Sequence, residues 1–260
     1  MITSLTNDKV KLIRSLAERK YRVKEQRFAI EGARLIDDVL AANLQPDWIF
    51  CVERLPSRSQ ETLGRLKKRG VEIITVSDAV LKACSDTETS QGLIAVLPFP
   101  RLTIPSNPQM ILIADSLRDP GNLGTLLRSA AASDVDAVLL PPETVDAYNP
   151  KVVRGAMGAH FRLPILEAAW AEIAERVRGM AVYLAAADGE LSYTAVDWTQ
   201  PSALIVGGEA SGASKDALHL ATHRISIPLS REVESLNAAV AASVILFEAK
   251  RQRTSSGQDV

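Results

Sequence analysis

Three short stretches of this 260-residue chain carry side chains whose types and spacing could do chemistry. In the first, NLGTLLR at residues 122–128, the amide of Asn122 and the guanidinium of Arg128 stand in a run otherwise made of glycine, leucine and threonine. An arginine flanked by Leu126, Leu127 and a string of small residues requires an anionic partner, because an unpaired buried charge is costly. That partner is either a structural carboxylate or a bound anion. Gly121 and Gly124 allow tight turning, and Asn122 reads as a helix N-cap. In the second stretch, LIVGGEASG at residues 204–212, an apolar strand runs into a glycine-rich turn holding one carboxylate, Glu209. Gly207, Gly208 and Gly212 would expose backbone groups at the strand's carboxyl end, the edge where open α/β sheets bind ligands. A plain tight loop has the same composition. In the third, a strand ends near Pro228 and a loop leads to Ser235-Leu236-Asn237 at the mouth of the last helix. Ser235 reads as its N-cap, and Asn237 in the first turn competes with the helix unless it has another task.

The elements that must position these groups follow from periodicity. Residues 1–100 alternate helical and extended patterns. A helix begins at Asn7 and continues to Lys20, and strands lie over RFAIEG, DWIFCV, VEIITVS and QGLIAVLPF with helices between them. The result is a small α/β sandwich. PFPRLTIPSNPQ then places four prolines within eleven residues, and proline denies both helix and ladder, so a linker spans residues 101–108. Beyond it come the strands ILIADS, AVLLP, AVYLAAA, ALIVGGE and ISIPL. Their apolar runs do not alternate, the pattern of a parallel sheet covered on both faces. The last helix runs from Ser235 to about Arg251 and places Leu236, Val240, Ser243, Val244 and Phe247 along one stripe.

Composition excludes several classes. An apolar fraction of 47% with 23% charged residues is globular, not disordered. No stretch is long and apolar enough for a membrane span, and the N-terminus lacks the pattern of a secretory signal, so a cytoplasmic protein is expected. Two cysteines make neither a disulfide framework nor a four-thiolate site, and His160, His219 and His223 have no metal-ligand spacing, so no metal is expected. The net charge of −1 conceals two unlike parts. Residues 1–34 hold nine basic and four acidic side chains, densest at Arg19, Lys20, Arg22, Lys24 and Arg27. Such a run is either a solvated face or a phosphate-contacting surface.

In this order and spacing the three stretches resemble the three signatures of SpoU/TrmH-type RNA 2′-O-ribose methyltransferases of the SPOUT class. The segment NPKVVRGAMGAHFRLPI at residues 149–165 is similar to that family's connecting segment. LAERKYRVKEQRFAIEG is similar to its N-terminal substrate-binding extension, so the resemblance spans nearly the whole chain. One departure stands in the connecting segment, where Ala156 replaces a frequent serine.

The resemblance implies an α/β architecture with an L30e-like RNA substrate-binding domain over residues 1–100. It implies a SPOUT trefoil-knot domain over residues 109–253 that binds S-adenosylmethionine and assembles as a homodimer. Carried over residue by residue, the cofactor would touch Gly207, Ile227, Leu229 and Leu236. The catalytic candidates are Asn122, Arg128, Glu209, Ser235 and Asn237. Arg128 would act as base or as electrostatic stabiliser, Glu209 would hold it, and the amides and hydroxyl would orient the ribose. With RNA as substrate, Arg19, Lys20 and Arg22 are expected to contact phosphates. Ribosomal RNA, most specifically 23S, is the expected substrate, because a folded N-terminal domain contrasts with the short helical extensions of many tRNA-directed relatives. The alternatives are a tRNA 2′-O-methyltransferase and a non-catalytic RNA-binding relative, against which Arg128, Glu209 and Asn237 all count. A nucleotide-dependent α/β enzyme lacks its phosphate loop or dinucleotide fingerprint here.

Overall fold

The computed structural model describes residues 1–87, 90–208, 212–230 and 233–255. The chain divides into two compact units, one of residues 1–101 with 148–161, the other of residues 102–147 with 162–260.

The first unit begins with α1 (Asp8–Ser15) and α2 (Arg19–Glu25), followed by β1 (Arg27–Glu31) and α3 (Ala33–Ala41). Then come β2 (Trp48–Cys51), α4 (Ser57–Lys68), β3 (Glu72–Thr75), α5 (Asp78–Cys84) and β4 (Leu93–Pro98). The strands form a mixed sheet in the order β1-β4-β2-β3, with only β2 and β3 parallel. Central β4 is apolar on both sides: Leu93, Ala95 and Leu97 join one buried cluster, Ile94 and Val96 another. Each cluster is covered by helices, which explains why QGLIAVLPF reads as an uninterrupted apolar run.

Asn7 caps α1, accepting from the Lys9 amide at 3.0 Å. The single helix expected from Asn7 to Lys20 is instead two, and Arg22 shows why. It is buried, and its Nη1 donates to the carbonyls of Leu16 at 2.6 Å and Ala17 at 2.7 Å. Helix ends leave carbonyls without intrahelical partners, and here a guanidinium from the next helix supplies donors. Arg22 is therefore a structural residue and not a phosphate contact. Arg19 and Lys20, on the same helix, are exposed. Lys20 pairs with Glu18 at 2.9 Å and lies over the Tyr21 ring.

The second unit opens with β5 (Met110–Ala114), α6 (Pro120–Ala132) and β6 (Ala137–Leu140). The following helix, α7 (Pro150–Ala156), falls in the segment grouped with the first unit, although in sequence it lies between strands of the second. There Tyr148 stacks on Phe99 at 4.0 Å and meets Phe28 edge-on, and Val153 and Phe161 enter the cluster beneath β1. The rest is β7 (Ile165–Glu167), α8 (Trp170–Arg176), β8 (Ala181–Ala185), β9 (Leu191–Ser192), β10 (Ser202–Val206), α9 (Lys215–Leu220), β11 (His223–Ser226) and α10 (Ala238–Ser255). All seven strands pair in parallel, in the order β7-β6-β5-β10-β8-β11-β9. Every residue of β5, β6 and β10 is buried. The strand expected over ISIPL ends at Ser226, since Pro228 has no N–H to give the ladder.

The chain leaves β5 toward β6 on one side and returns to β10 on the other, so the carboxyl ends of β5 and β10 mark the switch point of the sheet. Among the described residues no helix is long and apolar enough to cross a membrane, and no group of three or more His, Cys, Asp or Glu could hold a metal.

The Arg22 arrangement is testable by thermal and urea unfolding. Arg22→Ala strips two carbonyls of their donor and is expected to cost about 2–3 kcal/mol. Stability within about 0.5 kcal/mol of the parent, the range of an ordinary surface substitution, would contradict the burial assigned to it.

Candidate active site

At the switch point one buried carboxylate ties two loops together. Asp115, directly after β5, has no solvent exposure. Its Oδ2 accepts from the Ser214 amide at 2.7 Å and its Oδ1 from the Ser116 hydroxyl at 3.0 Å. Ser214 is in turn the N-cap of α9, accepting from the Ala217 amide at 3.2 Å. The glycine-rich turn after β10 is therefore anchored at its far end by the loop after β5. It is also pinched: Gly212 N–H donates to the Gly208 carbonyl at 3.1 Å. A Cβ on Gly208 would lie 2.6 Å from the Ser116 carbonyl oxygen, and one on Gly207 2.8 Å from the Ala213 nitrogen. Backbone packed this closely admits no side chain. Glu209, within this turn, lies outside the described residues.

Beside the turn is a cavity of about 690 Å³. Its walls are the loops that follow β8, β10 and β11, and the approach to α10. Gly207, Ile227, Leu229 and Leu236 all line it, as do Ser235 and Asn237. The third stretch of the sequence is thus brought against the second. On the remaining side the loop after β8 contributes Asp188, ion-paired with Arg224 at the rim. Sequence reasoning passed over that pair. The available signal was an Asp-Gly turn directly after an apolar strand, at the sheet edge where ligands bind.

Two caps differ from expectation. The N-cap of α6 is Asp119, whose side chain accepts from the Asn122 amide at 2.8 Å, with Pro120 in the first turn. Proline's fixed φ suits that position, so the helix is capped three residues earlier than the asparagine indicated. Asn122, no longer the cap, makes a tertiary contact. At the other helix, the capping residue is Asn237 rather than Ser235. Its Oδ1 accepts from the amides of Ala239 at 3.0 Å and Val240 at 3.2 Å, while its Nδ2 donates to Asn122 Oδ1 at 3.0 Å. One amide thereby starts α10, faces the cavity and grips α6. A second contact follows two turns on, where Ser243 Oγ donates to Ser129 Oγ at 2.7 Å.

Arg128 is not where an apolar-flanked arginine was expected. It is exposed on α6, on the same face as Gly121 and Thr125, while Leu123, Leu126, Leu127 and Ala130 are buried. The helical period sends neighbours of one residue to opposite sides, so an apolar flank in sequence does not bury the residue it flanks. Arg128 is not on the cavity wall, and among the described residues it makes no ion pair or hydrogen bond. Among the described residues no carboxylate competes with an external anion for this guanidinium.

The cavity suits a nucleoside-sized ligand. Its volume falls in the roughly 300–1,000 Å³ range of small-molecule sites. Its aliphatic walls suit a purine ring, and the backbone of residues 207–208 offers polar groups without side chains in the way.

Comparison with known proteins gives the family. Residues 109–247 match the SpoU rRNA Methylase family and residues 7–95 the MRM3-like substrate binding domain. The chain is 36% identical over 291 residues to rRNA methyltransferase 3A, mitochondrial, of Danio rerio, covering 90% of this chain and 66% of that protein. It is 32% identical over 248 residues to the 23S rRNA (guanosine(2553)-2′-O)-methyltransferase RlmP of Bacillus subtilis (strain 168), covering 95% and 97% of the two chains. It therefore spans just under two thirds of the zebrafish protein's length and almost all of the bacterial one's. Among solved structures, the SpoU methyltransferase AviRb from Streptomyces viridochromogenes, in complex with AdoMet, superposes with a TM-score of 0.86 at 27% identity, covering 96% of this chain and 99% of that one.

Replacing Asn237 by alanine removes both a cap and the bond to Asn122. A loss of about 1 kcal/mol in chemical denaturation is expected, as for other N-caps. Serine at 237 should restore most of the stability but not the Asn122 contact. Equal stability of all three proteins would show that Asn237 does not start α10.

Proposed function

The chain belongs to the SpoU rRNA methylase family, S-adenosylmethionine-dependent RNA methyltransferases, and on that premise we propose that it methylates a ribose 2′-hydroxyl of large-subunit ribosomal RNA. The observation that carries this reading is the cavity at the sheet's switch point, lined by Gly207, Ile227, Leu229, Ser235, Leu236 and Asn237. Those residues would hold S-adenosylmethionine through backbone and aliphatic contacts. When bound, the cofactor supplies a methyl group on a sulfonium, so the acceptor hydroxyl must lose its proton as the new C–O bond forms.

We assign the residues accordingly. Arg128, exposed and without a carboxylate partner among the described residues, grips an RNA phosphate and stabilises the developing alkoxide. A guanidinium does not give up its proton in proteins, so water or a phosphate oxygen accepts the one that leaves. Asn122, Ser235 and Asn237 orient the ribose, and Glu209 holds the arginine. The exposed Arg19 and Lys20 of α2 contact the RNA backbone. In domain terms, residues 1–100 form the RNA substrate-binding part, 101–108 the linker and 109–253 the methyltransferase part. The trefoil-knot topology and a cytoplasmic location belong to the same reading.

A homodimer completes it. The small residues of α10, Ala239, Ala242 and Ala249, are buried, whereas Val240, Val244 and Phe247 are exposed one helical turn apart. A helix apolar on both faces needs cover on both. A second copy of α10 is the proposed cover. Val244→Glu should convert the dimer to a monomer in sedimentation velocity; a wild-type protein that already sediments as a monomer would contradict the dimer.

Calorimetric titration with S-adenosylmethionine tests the cofactor assignment. Saturable binding is expected, and none at about 1 mM ligand, the weak end of specific recognition, would remove the reading. Arg128→Ala should stay folded and bind the cofactor equally while losing methyl transfer by at least about a hundredfold, the scale of a lost electrostatic stabiliser. Full activity in that variant would refute its role.

A further inference from the structure

The first unit contains a cavity that methyl transfer does not use. It measures about 240 Å³, below the roughly 300–1,000 Å³ of drug-sized sites. Its floor is aliphatic, formed by Ile13, Leu16, Leu35 and Ile94. Its wall is charged, with Arg14, Arg22 and Arg154 against Glu31 and Asp86, an excess of positive side chains.

The charged groups are not all engaged with one another. Glu31 accepts from the Ser85 hydroxyl at 2.6 Å and the Thr87 hydroxyl at 3.1 Å. A carboxylate has about four acceptor positions, so among the described residues two are left for further donors. Arg14 is exposed and, among the described residues, makes no ion pair or hydrogen bond. Arg154 stands 3.8 Å from Asp86, at the outer limit of an ion pair. Cys84 also lines the cavity, but burial pushes its thiol up to about 11, which makes it a neutral wall residue and no nucleophile. Arg22 connects this cavity to the basic surface, because the helix that gives its buried guanidinium to the wall presents Arg19 and Lys20 to solvent.

An aliphatic floor, an acceptor with spare capacity and an uncommitted guanidinium at the edge match the three parts of a nucleotide: ring face, N–H edge and phosphate. Proteins read single-stranded RNA by such splayed bases, not by helical grooves. We propose that this cavity is a subsite for one unpaired nucleotide of the RNA substrate, its base within the cavity against Glu31 and its phosphate on Arg14. The proposal rests on the RNA-methyltransferase reading and gives that enzyme a means of choosing its substrate away from the methylated ribose.

The test uses the full chain with isotope-labelled isoleucine methyls and S-adenosylhomocysteine present to occupy the cofactor cavity. Each of the four nucleoside 5′-monophosphates is titrated in turn. At least one is expected to shift the Ile13 and Ile94 methyl signals with a dissociation constant near or below about 1 mM. Ala83→Phe, which fills the cavity, should abolish those shifts. Arg14→Ala, at an exposed position that leaves packing intact, should weaken them about tenfold, the worth of one ionic contact near 1.4 kcal/mol. In methyl-transfer assays Arg14→Ala should raise KM for RNA severalfold and leave kcat unchanged. Absence of shifts at Ile13 and Ile94 with all four nucleotides, or identical titrations in the parent and Arg14→Ala, overturns the subsite. If the parent still methylates RNA in that case, the enzymatic reading stands; a parent that never methylates RNA is the separate failure of that reading.

Discussion

The carboxylate of Asp115 is the constraint on which the rest of the site depends. It sits at the end of a fully buried strand with no exposure to water, where an unsatisfied acceptor is expensive. It meets its hydrogen bonds through the amide of Ser214, 99 positions away in sequence, and the hydroxyl of Ser116. Satisfying that one group therefore fixes the glycine-rich turn after β10 against the loop after β5. The close contacts at Gly207 and Gly208 are the consequence, and they give the cavity a wall made of backbone. A parallel sheet buried on both faces has its polar backbone ends at its edges. At the switch point those ends line the cavity.

A second constraint is the fit of α10 on α6. Small residues allow the helices to approach, and two polar contacts, Asn237 to Asn122 and Ser243 to Ser129, set their register. Because Asn237 also caps α10, the helix cannot start elsewhere without breaking the grip on α6. The geometry of the candidate catalytic amides is thus built into secondary structure rather than left to loop conformation. The outward face of the same helix remains apolar, which is why dimerisation belongs to the functional reading.

Much of this was legible in the chain itself. Uninterrupted apolar runs such as ILIA and SALIV announced a sheet buried on both faces, and the glycine-rich turn directly after one of them pointed to the ligand edge. What periodicity could not provide was the direction of individual side chains. Arg128 lies among leucines and alanines in sequence, yet the helical period turns it to solvent. Arg22 belongs to a basic run that reads as surface, yet the unpaired carbonyls ending α1 draw it inward. Asn122 and Ser235 have the right chemistry for caps, but Asp119 ahead of a proline and Asn237 with a partner on α6 take those positions. The tether from Asp115 to Ser214 has no local signature at all, since nothing near either residue encodes a contact across 99 positions. The placement of residues 148–161 with the first unit, through the ring stack of Phe99 on Tyr148, is of the same long-range kind.

The central claim is that the cavity and the exposed Arg128 together move a methyl group onto a ribose 2′-oxygen of ribosomal RNA. The most direct measurement incubates the purified protein with methyl-labelled S-adenosylmethionine and unmodified large-subunit ribosomal RNA, then maps resistance to alkaline cleavage at each nucleotide. Alkaline cleavage needs a free 2′-hydroxyl, so transfer to that oxygen protects one linkage. Label incorporated at a single position that becomes alkali-resistant is the expected result. Label on a base, with every linkage still cleaved, or no incorporation into the RNA at all, would contradict it.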